Sequence, residues 1–163
     1  MQSLSVAVFG SNSREGNGLM QYQCGEIGRV FIVRFEDGDN VLEGLKDLSA
    51  REKISAAAFH LVGGMKKGRF VAGPESESMP PVPVWRELSE SHEIVGFGTI
   101  FLHEGLPKVH FHGAFGKRDT VKAGCLREGS EAFLVLEAVV LEITGTTAVR
   151  ELDPESGMAL LKL

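Results

Sequence analysis

Apolar residues recur at helical spacing in one clear stretch of this chain, and almost everything else reads as strand. Glu36-Asp37-Gly38 is a turn signal, after which Asp39 or Asn40 can cap a helix in which Val41, Leu42, Leu45 and Leu48 alternate with charged residues. A helix is predicted over about 40–52. Before it, Arg29-Phe35 (RVFIVRF) is dense in β-branched and aromatic residues and predicts a strand. After it, Ile54-Val62 reads as a buried strand, Gly63-Gly64 as a turn, and Arg69-Ala72 as part of a second strand closed by Gly73-Pro74. One helix among many strands, without strand–helix–strand alternation, predicts an α+β fold with a mainly antiparallel sheet.

The remaining strands follow from the same patterns. Glu75-Pro83 holds three of the six prolines and predicts a loop, and Glu93-Leu102 predicts a strand. Leu106-Pro107 is expected in a turn, followed by a strictly alternating strand over Lys108-Phe115. Glu131-Ile143, Thr146-Leu152 and Met158-Leu163 complete the set. Residues 1–24 form an amino-terminal segment with a polar loop, Ser11-Gly18 (SNSREGNG), and 25–163 the folded domain. At 163 residues the chain can bury a core without disulfides or a structural metal.

Charge narrows the partners. Lys and Arg number 17 against 22 Asp and Glu, a net charge of -5, so the chain starts at a disadvantage as a DNA binder, whose affinity rests on neutralised phosphates. Lys66-Lys67 with Arg69 is the local basic patch that such binding would use. Two cysteines, Cys24 and Cys125, make no disulfide framework, and the first residues lack a signal-peptide pattern, so a reducing cytoplasm is expected. The longest apolar run, Phe133-Val140, is broken by Glu137, and no run approaches the ~18–20 residues that a membrane span needs.

Val6-Ala7-Val8-Phe9-Gly10-Ser11-Asn12-Ser13 resembles a strand leading into a phosphate-cradling loop. Such a loop should launch an amphipathic helix, yet Gly16-Gly28 holds four glycines and a poor apolar period, so this reading is rejected.

The chemistry-bearing pattern is His110-Phe111-His112. Side chains at i and i+2 of a strand share a face, so two imidazoles can reach one ion while Val109 and Phe111 lie on the other face. A hairpin through Gly116-Thr120 would return the chain towards Val121-Leu126. If its loop has two or four residues centred between Arg118 and Asp119, paired numbers sum to 237 and Cys125 lies opposite His112; an odd loop without a bulge puts Cys125 on the wrong face. The alternative is a solvated pair of histidines beside a buried cysteine. His60, after Ala56-Ala57-Ala58-Phe59, is a candidate fourth ligand or proton-transfer group, or else a packed histidine. His92 and His103 are expected to be exposed. Glu137 needs a partner within its apolar run: Arg127, a ligating imidazole, or solvent.

Over roughly Gly28-Leu152 these residues resemble the plants and prokaryotes conserved (PPC) domain. The features that carry the resemblance are RVFIVRFEDGDNVLEGL, AAAFHLVGGMKKGRFV, EIVGFGTI, PKVHFHGAFG, AGCLREG and LVLEAVVLEI, in that order. It implies an antiparallel sheet with one main helix, a homotrimer, and a fold similar to that of acetolactate decarboxylase, a zinc enzyme. By position, His110 and His112 match two metal ligands of many prokaryotic members, and Cys125 stands where a third histidine is usual. A thiolate can ligate zinc but makes it a weaker Lewis acid, which puts decarboxylase-like chemistry in question. Plant relatives bind DNA through a separate basic hook of Arg-Gly-Arg-Pro type, which this sequence lacks.

Two functions follow. One is an enzyme with a divalent metal, zinc first, acting on a small anionic metabolite, with Arg127 holding a carboxylate and Glu137 or His60 moving protons. The other is a trimeric regulatory, DNA-binding or protein-interaction module whose metal is structural or incidental. The sequence leaves enzyme against non-enzyme open.

Overall fold

The structure, a computed structural model, describes residues 20–163. The Ser11-Gly18 loop and the rejected phosphate-loop motif lie outside the described residues. The elements are β1 (Glu26–Glu36), α1 (Val41–Glu52), β2 (Ala56–Pro74), β3 (Pro83–Leu88), β4 (His92–His103), β5 (Leu106–Lys117), β6 (Thr120–Thr144), β7 (Val149–Asp153) and β8 (Met158–Lys162). This is the α+β composition expected from the sequence.

All eight strands form one sheet in the order β3-β2-β6-β5-β4-β7-β8, with β1 on β6. A further pairing of β2 with β4 closes β2, β6, β5 and β4 into a ring. The pairs are antiparallel except for a parallel contact between β4 and β7 at His103 and Arg150.

Helix α1 is placed by its ends. Asn40 is the cap: its Oδ1 accepts from the Glu43 backbone N–H at 3.2 Å and from Ser130 Oγ at 2.7 Å, which ties the helix start to β6. At the other end Lys53 takes a left-handed φ of 56° and its N–H reaches back to the last turn. Val41, Leu42 and Leu45 are buried and meet Phe59, Leu61, Phe111, Phe115, Leu136 and Val140 from the sheet in one core.

Two expectations are corrected. Gly63-Gly64 does not turn the chain: β2 runs unbroken for 19 residues, and Gly63, at φ 137°, sits at a register shift against β6 instead. Leu106-Pro107 already belongs to β5, because Glu104 and Gly105, both at positive φ, make a two-residue hairpin turn on their own. The Val121-Leu126 and Glu131-Ile143 segments join in one 25-residue strand, β6. The short strand β3, which begins at the last residue of the proline-rich stretch and runs on to Leu88, has no counterpart in the sequence reading.

The GFG run in β4 explains how the core fits under the sheet. A Cβ on Gly96 would lie 2.1 Å from the Phe111 ring, and one on Gly98 2.2 Å from the Phe59 ring. Those two rings, 5.7 Å apart, occupy the space that the glycines leave, while Phe97 between them points outwards.

Candidate metal centre

The β5–β6 hairpin sets the register on which the site depends. Lys117 pairs with Thr120 around a two-residue turn in which Arg118 adopts φ 52°, and from there His112 falls opposite Cys125. Alternation sends Phe111 and Leu126 into the core and His110, His112 and Cys125 to the outer face. The ligating atoms of the three side chains all lie within 4.8 Å of one another.

Their chemistry suits a metal. The His110 and His112 Nε2 atoms are 3.1 Å apart with the rings edge to face. Two nitrogens bound tetrahedrally at ~2.05 Å to zinc would be about 3.3 Å apart, so both imidazoles already converge on a shared point. Burial, reinforced by the positive charges of Arg150, His112 and Arg127, lowers the His110 pKa to about 4, which keeps its ring neutral and its lone pair free at neutral pH. Burial raises the Cys125 thiol pKa, opposed by Arg127, the Phe111 backbone N–H and Arg150. A cation entering here must displace that proton, as thiolate ligation requires. Cys125 is buried and His112 exposed, so the donors form a set closed on the protein side and open towards solvent. Three protein donors with an open fourth position are the pattern of a centre that binds water or a ligand.

The other candidates fall elsewhere. Register places Ile32, Val139, His60, Phe97, His112 and Cys125 in one row across five strands, with His60 two strands from β5, about 10 Å away. His60 is exposed beside Phe97, with ring centroids 6.4 Å apart. Glu137 is exposed on the same face, opposite Arg34 and Val62, so solvent meets its charge and it does not join the donor cluster. Arg127 is exposed one residue beyond Leu126, the last β6 residue paired with β5, and its charge acts on His110.

His92 and His103 are not exposed as expected. His92 is buried with Nδ1 2.7 Å from the Glu90 carbonyl, and His103 is half-buried with Nδ1 2.9 Å from the Arg150 carbonyl. Arg150 and Thr99 are neighbours of the site that the sequence reading missed. Thr99 lies opposite His110, and Arg150 reaches it from β7. The sequence offered no clear signal for Arg150, because its strand reads VRELD and an arginine among other charges there looks exposed.

The basic patch is already neutralised. Lys66 pairs with Asp37 at 2.8 Å, Lys67 with Glu131 at 3.0 Å, and Arg69 with Glu128 at 3.2 Å while stacking on Trp85. No helix among the described residues is long and apolar enough to cross a membrane.

Comparison with known proteins agrees with this architecture. The Plants and Prokaryotes Conserved (PCC) domain matches residues 22–144. A plant- and prokaryote-conserved protein from Pyrococcus horikoshii is similar at 26% identity and TM-score 0.77, over 88% of this chain and 98% of that one. A metal-containing protein from Archaeoglobus fulgidus shares the fold at 24% identity and TM-score 0.77, over 88% and 100% of the two chains. A presumed DNA-binding protein from Ralstonia eutropha is similar at 25% identity and TM-score 0.69, over 81% and 90%. No curated protein matches the chain.

Proposed function

The chain belongs to the Plants and Prokaryotes Conserved domain family, and on that premise we propose that it binds a single divalent ion, zinc by donor type, through His110, His112 and Cys125. The observation that carries this reading is the convergence of three ligating atoms within 4.8 Å, from residues that alternation alone could have scattered. Such an ion, when bound, polarises an oxygen of a ligand or of water. The chain's own contribution is to hold His110 neutral, to supply a thiolate that tempers the ion's acidity, and to leave the outer side open. That combination suits a centre acting on, or sensing, a small molecule, and the decarboxylase resemblance makes small carboxylic acids the first compounds to try.

Metal analysis of protein purified without chelators tests it. Wild type should carry stoichiometric metal, His110→Ala should lose it, and Cys125→Ser should retain it weakly. Wild type with no metal would overturn the reading.

Association of copies belongs to the same proposal. Ile32, Val62, Val95 and Phe97 are exposed together on the outer face, with Phe97 68% accessible, more apolar surface than a solitary soluble chain tends to show in one place. We read this face as the contact between copies, three by family resemblance, and Phe97→Ser should lower the mass seen in sedimentation. A second reading, DNA binding, has the Ralstonia neighbour in its favour and the paired Lys66, Lys67 and Arg69 against it. Salt-sensitive retention of duplex DNA, lost on neutralising that patch, would establish it.

A further inference from the structure

Arg150 is a buried cation, and the charged group acting on it most is the Cys125 sulfur. Only 8% of the residue is accessible, it lies on β7 against β4, and among the described residues no carboxylate pairs with it. Its guanidinium donates to Thr99 Oγ1 at 3.1 Å and to the Ala159 carbonyl at 3.2 Å. A guanidinium has five N–H donors, so these partners leave three, and its buried Nε has no hydrogen-bond partner among the described residues. Taking such a charge out of water without pairing it is costly, and native proteins tolerate it where an anion completes the site.

The position says which anion. Thr99, to which Arg150 is bound, lies directly opposite His110. Arg127, on β6 just past the end of the β5–β6 ladder, also acts on that histidine through its charge and has no ion-pair partner among the described residues. Two guanidiniums therefore lie near the donor cluster, one bound to the residue opposite His110 and one just past the end of the β5–β6 ladder. Both lie close enough to act electrostatically on His110 and on Cys125. One thiolate against an ion of charge two and two arginines leaves the centre strongly positive, so a neutral ligand would leave that charge unmatched.

We infer that the open side of the metal centre receives a small oxyanion, a carboxylate or a phosphate, held by the Arg150 guanidinium with Arg127 closing over it. This rests on the metal reading above and names the ligand class of that site. The planar fork of Arg150, fixed by Thr99 and Ala159, selects an oxyanion over a neutral amide of the same shape.

Cobalt(II) loaded in place of the native metal provides the probe, since its visible spectrum responds to a ligand entering the coordination sphere. Full-length protein is first analysed for bound cobalt and then titrated with malonate, inorganic phosphate and malonamide. Malonate or phosphate should shift the spectrum saturably, the tighter of the two identifying the source of the oxyanion, and malonamide should not. Arg150→Lys should keep its cobalt and bind the anion about ten- to a hundredfold more weakly, as expected for the loss of one or two charge-assisted hydrogen bonds. Arg127→Gln, at an exposed position that does not threaten folding, should weaken it less. Saturable binding that is equally tight in both variants, or equally tight for malonamide, would overturn the inference while leaving the metal reading intact, as would cobalt-loaded wild type that responds to neither anion. Wild type that takes up no cobalt would overturn both, and metal analysis shows that before any anion is added.

Discussion

The inner and outer faces of the sheet are built from alternate residues of the same strands, yet they do opposite things. Inside, Phe59, Phe111 and Phe115 are fully or almost fully buried with α1 above them. Outside, one residue along, His60, Phe97 and His112 meet solvent. The contrast teaches that stability and chemistry are separable here down to neighbouring positions. Phe111 can hold the core while His110 and His112 on either side remain free to ligate, because the pleat sends successive side chains in opposite directions.

The sharpest way to test that separation is to damage the inner face. Phe111→Ala removes a fully buried ring that fills the space over Gly96, and should cost about 3–5 kcal/mol in denaturant unfolding. Overfilling the same spot should cost less: Gly96→Ala forces a methyl to within 2.1 Å of that ring, and about 1–3 kcal/mol of stability should go as the ring shifts.

At the sheet's edge, Arg29 donates to Glu142 at 2.8 Å and to the Glu52 side chain at 2.9 Å, joining β1, β6 and the end of α1. The Arg29 side chain and backbone hold the Glu142 carboxyl pKa down at about 2 against an ordinary 4.5. A depressed carboxylate pKa stabilises the fold above the unfolded value, and that contribution is lost as pH falls from about 4.5 through about 2. Glu142→Gln should therefore be slightly less stable than wild type at neutral pH, and its acid unfolding curve should be flatter across that window. The smallest effect is expected on the outer face. His112→Ala should abolish metal binding yet alter the stability of the metal-free chain by no more than about 0.5 kcal/mol, since the side chain is exposed. Loss of several kcal/mol there would show that the two faces are not separable.

Much of this was legible in advance, for local reasons. The helix announced itself through Asn40 and the Val41, Leu42, Leu45 spacing, and strand alternation placed both histidines on one face. Other features were hidden because they depend on contacts far apart in sequence. Gly63-Gly64 looks like a turn when read alone, and becomes a bulge only because β6 is there to pair across it. His103 looks like an exposed end-of-strand residue until the Arg150 backbone carbonyl meets it from β7. Lys66, Lys67 and Arg69 look like a basic patch until Asp37 from the turn after β1 and Glu131 and Glu128 from β6 meet them.

By itself, the sequence determined which residues face together: two-residue periodicity is a property of the extended backbone, and it put His110 and His112 side by side wherever β5 went. It also reduced the place of Cys125 to the parity of one hairpin loop. Only the tertiary structure decided that parity, closed the ring of strands, and brought Arg150, forty residues along the chain from His110, to Thr99 beside the candidate metal centre. The reason is physical: periodicity is set by the covalent chain, whereas register and long-range neighbours are set by which apolar residues must share one core.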